Sequence, residues 1–129
     1  MAGTYIYWIS TTLLSALYLM SAFVYVTKTA WVRETLTGLG YPTYLVPFMI
    51  VIKVAGVLAI VSRFNVAISD LAYAGILYHL LLSGMAHLGV RKPARAVPAV
   101  IGLALLAASF TTQNTARDIP SPYTPAAMR

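Results

Sequence analysis

Four apolar stretches divide the chain, at 5–27, 45–62, 71–90 and 96–112. The first three are close to the roughly 17 to 25 residues that a helix needs to cross the hydrocarbon layer, and the fourth reaches that length if Thr111, Thr112 and Gln113 form its last turn. None of them alternates apolar with polar residues, as strands of a membrane barrel would. The expected fold class is therefore all-α, a transmembrane four-helix bundle. A membrane domain over 1–113 is followed by a tail, 114–129, expected to be mobile because Pro120, Pro122 and Pro125 leave little that could fold. The first stretch starts near Met1, has no basic segment before it and is longer than the apolar part of a cleaved signal, so it reads as a permanent span. The chain has room for one membrane domain and no soluble module.

Polar residues inside these stretches carry the next layer of information. Thr11, Ser15, Tyr18, Ala22 and Tyr25 recur at steps of three or four and share one face of the first span. Their hydroxyls should turn inward to another helix, although a Ser or Thr can instead bond its own i−4 carbonyl. Tyr18 is too long to do that easily. Tyr5, Tyr7 and Trp8 suit one membrane interface, and Tyr25 and Trp31 the other. Between the first two spans, 28–44 is broken by Gly38, Gly40 and Pro42, with room for a short interfacial helix over 30–37. Pro47 fits the first turn of the second span, whose midpoint carries Lys53 on a face with Met49, Gly56 and Ile60. The connection 63–70 is short and places Ser69 or Asp70 at the N-cap of the third span. There Ala72, Gly75, His79, Ser83 and Ala86 or His87 form a stripe. The fourth span, rich in Ala and Gly and free of ionisable residues, reads as packing material.

Composition fixes the solvent. Hydrophobic residues make up 60% of the 129, charged residues 9%, and the mean hydropathy is +0.79, against about 25% charged in ordinary soluble domains. A soluble chain of this size would leave roughly a third of its surface exposed, too much for so apolar a sequence. With no cysteine, disulfides, thiolate nucleophiles and cysteine-ligated clusters are excluded. The net charge of +6 sits in short loops, which favours anionic lipid headgroups as partners and not nucleic acid. Lys28, Arg33, Arg91, Lys92 and Arg95 flank one end of the spans, and Arg63 and Arg117 the other. The positive-inside rule then places both termini on the non-cytoplasmic side.

Three ionisable residues fall within the spans: Lys53, His79 and His87. A charge at mid-membrane costs about 2.5 to 3.5 kcal/mol on the mildest scale, so each needs a function or a partner. Tyr18, Lys53 and His79 lie at similar depth and converge if their faces turn inward together. They form either a polar lock between helices, worth about 0.6 to 2 kcal/mol per bond, or a ligand-binding site whose donors suit a carbonyl oxygen, such as a quinone head group, or a small anion. His87 lies eight residues beyond His79, about 12 Å along the axis. It is an interfacial candidate with Glu34 as its partner. At that separation the two histidines cannot share a metal ion, and no intramembrane carboxylate or thiolate completes a set, so no metal site is expected. Phosphate-binding glycine loops, HExxH and nucleophile elbows are absent; catalytic residues stay unassigned, and whether the chain is an enzyme stays open.

Four motifs in order, LGYPTYLVP at 39–47, KVAG at 53–56 running into VLAIVS, AYAG at 72–75 and SGMAHLG at 83–89, make the chain resemble the DoxX-like family of small four-span membrane proteins. Lys53, Gly56, Ala72 to Gly75, Gly84 and His87 fall on positions characteristic of it. The resemblance implies a four-helix bundle in a bacterial inner membrane, and the wider family includes a small subunit of a thiosulfate:quinone oxidoreductase and proteins linked to thiol-stress complexes. The chain departs from the family pattern where Gly89 is followed by Val90, Arg91 and Lys92, and where Leu71 precedes AYAG in place of an aromatic. With the lack of cysteines, these departures let the fold carry over and not the reaction. The expected role is an accessory or small-molecule-binding membrane component, alone, as a homo-oligomer or in a membrane complex. The alternatives are a membrane subunit of a quinone-linked oxidoreductase and a small-solute transporter or channel.

Overall fold

The computed structural model describes residues 2–124, and its secondary structure is entirely helical. Helices α1 (Ala2–Thr27), α3 (Leu45–Ser62) and α4 (Val66–Gly89) and the stretch Pro93–Ala116 are each long and apolar enough to cross a membrane. That last stretch is a 3-10 turn, Pro93–Ala96, running into α5 (Val97–Ala116). A short helix, α2 (Thr29–Gly38), lies between the first two spans, where the sequence leaves room for one. The protein is a multi-pass membrane four-helix bundle.

Helix ends follow local chemistry. Arg63 takes a left-handed conformation (φ 46°) that stops α3, and Asn65 returns to extended backbone. The Asn65 side chain then accepts a hydrogen bond from the Ile68 N–H at 3.2 Å, an N-cap. This corrects the expected start of the third span: the helix begins at Val66, so Ser69 and Asp70 lie inside its first turns. Pro98 sits in the first turn of α5, where its missing N–H breaks no bond. At the other end α5 continues past 113 to Ala116. The Asn114 amide donates to the Ser121 carbonyl at 2.9 Å, and the Ser121 hydroxyl bonds to an Asp70 carboxylate oxygen at 2.7 Å. The rest of the tail, 125–129, lies outside the described residues.

The four spans pack as a ring in the order α1, α3, α4, α5, with α5 returning to α1. The facing pairs, α1 with α4 and α3 with α5, do not approach backbone to backbone. Leu14, Tyr18, Val57, Ile60, Tyr73, Ile76, Leu80, Ala99 and Leu106 fill the centre. Met20, Phe23, Leu71, Tyr78 and Met85 point outward; an apolar exterior is what lipid as solvent permits, because tails compete for it as well as other helices do. The inward face of α4 is rotated from the expected stripe: Ser69, Tyr73, Ile76 and Leu80 are buried, His79 and Ser83 are half-buried, and Gly75 faces out.

Among the glycines, Gly102 has the least room around it. A Cβ there would lie 2.9 Å from a Leu80 methyl and 3.4 Å from one of Leu17, whereas one at Gly75 meets nothing within 4 Å. Gly102→Val is expected to cost about 1 to 3 kcal/mol through overpacking, measured as a drop in thermal unfolding temperature in detergent, with Gly75→Ala leaving that temperature close to wild type.

Candidate functional site

Tyr18 and Tyr25 are seven residues apart on α1, two turns on one face, and they present their rings to the middle of the bundle. From α4, His79 reaches across the ring so that its Nδ1 lies 2.7 Å from Tyr18 Oη. The two rings meet edge to face at 5.6 Å. This bond spans a diagonal of the bundle that no backbone contact bridges.

Lys53 enters from α3 and is 4% exposed. Its Nζ lies 5.0 Å from the Tyr18 ring centroid and 4.9 Å from that of Tyr25, so two aromatic faces hold the ammonium by cation–π attraction, which gains strength when desolvated. The chain's three acidic residues, Glu34, Asp70 and Asp118, lie on α2, in the first turns of α4 and beyond α5. The sequence-predicted trio Tyr18, Lys53 and His79 is therefore brought together, with tyrosine as its hub.

Beside this cluster is a lumen of about 570 Å³, within the 300 to 1,000 Å³ usual for small-molecule sites. It occupies the half of the bundle that carries the basic loops. His79 and Tyr25 line its inner end, Met49 and Leu82 its walls, and Trp31 and Leu36 of α2 cover it. Ser21 and Ser83 add hydroxyls, and the remaining wall is largely apolar. Tyr18 and Lys53 do not line this space; they stand behind Tyr25 and His79. Because Tyr18 occupies Nδ1, Nε2 is the histidine nitrogen left for a ligand. It carries the N–H and is a donor when the phenol O–H donates its hydrogen bond to Nδ1.

His87 and Arg95 line the same lumen and also a smaller cleft of about 210 Å³, to which Glu34 and Lys92 contribute. The expected pairing of His87 with Glu34 is not a hydrogen bond: they share the cleft, and the buried Nδ1 of His87 has no partner among the described residues. The exposed Glu34 carboxylate stays solvated, the cheaper arrangement for a charge at an interface.

Two further polar clusters lie away from the lumen. Ser109 of α5, with no exposed surface, sits 2.6 Å from both Thr11 Oγ1 and Tyr73 Oη. At the end bearing the termini, Arg63 donates to the Gln113 side-chain oxygen at 3.1 Å, and Gln113 donates to Asp70 at 3.5 Å. Burial lowers the pKa of the Arg63 guanidinium from its ordinary value. Arg117 bonds the Val61 carbonyl at 3.0 Å and stacks on Trp8 at 5.2 Å. The fourth span thus supplies Ser109 and Gln113 as central hydrogen-bonding residues, where the sequence suggested packing alone. The available signal was their spacing of four, one face of a helix.

Among the described residues no three His, Cys, Asp or Glu side chains are grouped to hold a metal ion. The chain matches the DoxX-like family over residues 9–109, most of its length. It belongs to that family. Comparison with curated proteins and with solved structures returned no match. In this DoxX-like protein the matched region contains Tyr18, Lys53, His79 and His87, whereas Gln113 and Ser121 fall beyond it.

The Tyr18–His79 bond should show as coupling. A double-mutant cycle with Tyr18→Phe and His79→Ala, read by unfolding in detergent, is expected to give an interaction of about 0.6 to 2 kcal/mol. Additive losses would mean the bond contributes nothing.

Proposed function

We propose that this DoxX-like protein is an accessory membrane component that binds a small lipid-soluble molecule in the lumen between His79 and α2, with a carbonyl of the quinone type as the group met by His79. One observation carries this reading: the lumen is largely apolar along its walls and polar at its inner end, where His79 keeps a ring nitrogen with no hydrogen bond among the described residues and Tyr25, Ser21 and Ser83 add hydroxyls to the lining. A neutral carbonyl in a dry site takes such a donor without bringing a charge into the membrane. Lys53 acts behind the site by fixing the faces of Tyr18 and Tyr25. Beyond His79 the centre is filled by Leu14, Ile76 and Leu106, which supports a dead-end site over a through-pore.

Binding of a quinone analogue to the purified protein, followed by tryptophan quenching, is expected to weaken about three- to tenfold in His79→Ala, the loss of about one hydrogen bond. Lys53→Ala is expected to weaken it in the same direction by releasing the two tyrosine rings. Unchanged affinity in both variants would refute the site.

The basic end, with Lys28, Arg33, Arg91, Lys92 and Arg95, faces the cytoplasm of a bacterial cell in this reading, with both termini on the non-cytoplasmic side of the inner membrane. A reporter fused after Arg129 that works only outside the cytoplasm is the expected result; one active only inside would reverse the orientation.

A further inference from the structure

The lumen and the smaller cleft adjoin, since Trp31, Thr35, Leu39, His87 and Arg95 line both. Together they form one amphipathic passage. Its inner end is at His79 and its mouth lies at His87, eight residues along α4 and so about 12 Å away. The stretch between is walled by Met49 and Leu82. At the mouth two cations, Lys92 and Arg95, face one acid, Glu34. Two positive charges against one negative leave the cleft with a net charge of one, which a monoanion balances and a dianion would exceed. His87 adds a buried Nδ1 with no partner among the described residues, a polar atom whose desolvation they leave uncompensated.

We infer that the ligand of this lumen is a lipophilic organic monoanion, with a carbonyl against His79, an apolar body along Met49 and Leu82, and a carboxylate at the mouth against Arg95 and Lys92. The inference rests on the lumen being a binding site and goes further by naming the charge of the occupant and the end at which that charge sits. A carboxylate suits the mouth because guanidinium meets it with two parallel N–H groups. The mouth also lies at the interface, where an anion keeps part of its hydration and the penalty of a mid-membrane charge does not arise.

The test uses the full chain in phosphatidylcholine nanodiscs, with a naphthoquinone bearing a short carboxyalkyl chain and, in parallel, its methyl ester. The acid is expected to bind about two- to fivefold more tightly than the ester at low salt, the range for partly exposed ion pairs. That ratio should fall towards one in the double variant Lys92→Gln, Arg95→Gln and rise in Glu34→Gln, which removes the opposing charge. Equal affinities in the wild type, or a preference that survives the double variant, would overturn the monoanion. Phosphatidylglycerol displacing the acid but not the ester would also overturn it, by making the mouth a lipid-headgroup site. The ester separates the two claims: if it binds and responds to His79→Ala, the lumen stands whatever the acid does. If neither compound binds, both claims fall.

Discussion

α1 and α4 face each other across the bundle with no backbone contact between them, and the bond from Tyr18 to His79 joins them through side chains. Lipid imposes this solution. In a bilayer core a phenol or an imidazole must find a partner or carry its desolvation cost. A second tie joins the same diagonal deeper in the bundle, where Ser109 bridges Thr11 and Tyr73. The other diagonal is closed at the end bearing the termini, where Arg63 reaches Gln113. The bundle is a ring of apolar contacts with polar ties across it at successive depths.

These ties divide the interior unevenly. From His79 towards the termini, leucine, isoleucine and aromatic side chains fill the centre around Ser109. From His79 towards the basic loops α2 lies over the bundle end, and a lumen remains. Lys53 sits at the boundary between the halves with its charge against two tyrosine faces. His79, which ties α4 to α1, therefore also lines the inner end of the lumen, and the choice between a polar lock and a ligand site is not exclusive: Nδ1 of His79 serves the first and Nε2 the second.

Much of this was legible before any coordinates. Span number and length follow from the four apolar stretches, and the inward face of α1 from the spacing of Thr11, Tyr18 and Ala22, all three buried. The convergence of Tyr18, Lys53 and His79 follows from depth, because each lies near the midpoint of its own span. Rotation of a helix about its axis was harder. On α4 small and polar residues occur on more than one face, so the stripe through Gly75 competed with the true one through Tyr73 and Ile76. The start of α4 was masked because Asn65, the residue that caps it, precedes an apolar run interrupted by Ser69 and Asp70. Ser109 and Gln113 carry no charge and so stood out less than Lys53, although each is fully buried. The lumen arises where α2 fails to fill the bundle end, which one-dimensional spacing does not encode.

Methionine positions offer the most direct test of the central claim, that a carbonyl compound occupies the space above His79. Met49 lines the lumen, whereas Met20 and Met85 are 69% and 67% exposed on the outer surface. Irradiating the reconstituted protein with a benzophenone ketone, whose excited carbonyl attacks methionine side chains, and mapping adducts by mass spectrometry distinguishes the two locations. Occupancy of the lumen predicts adducts on Met49 that excess quinone analogue suppresses. Adducts confined to Met20 and Met85, unaffected by the analogue, would contradict it.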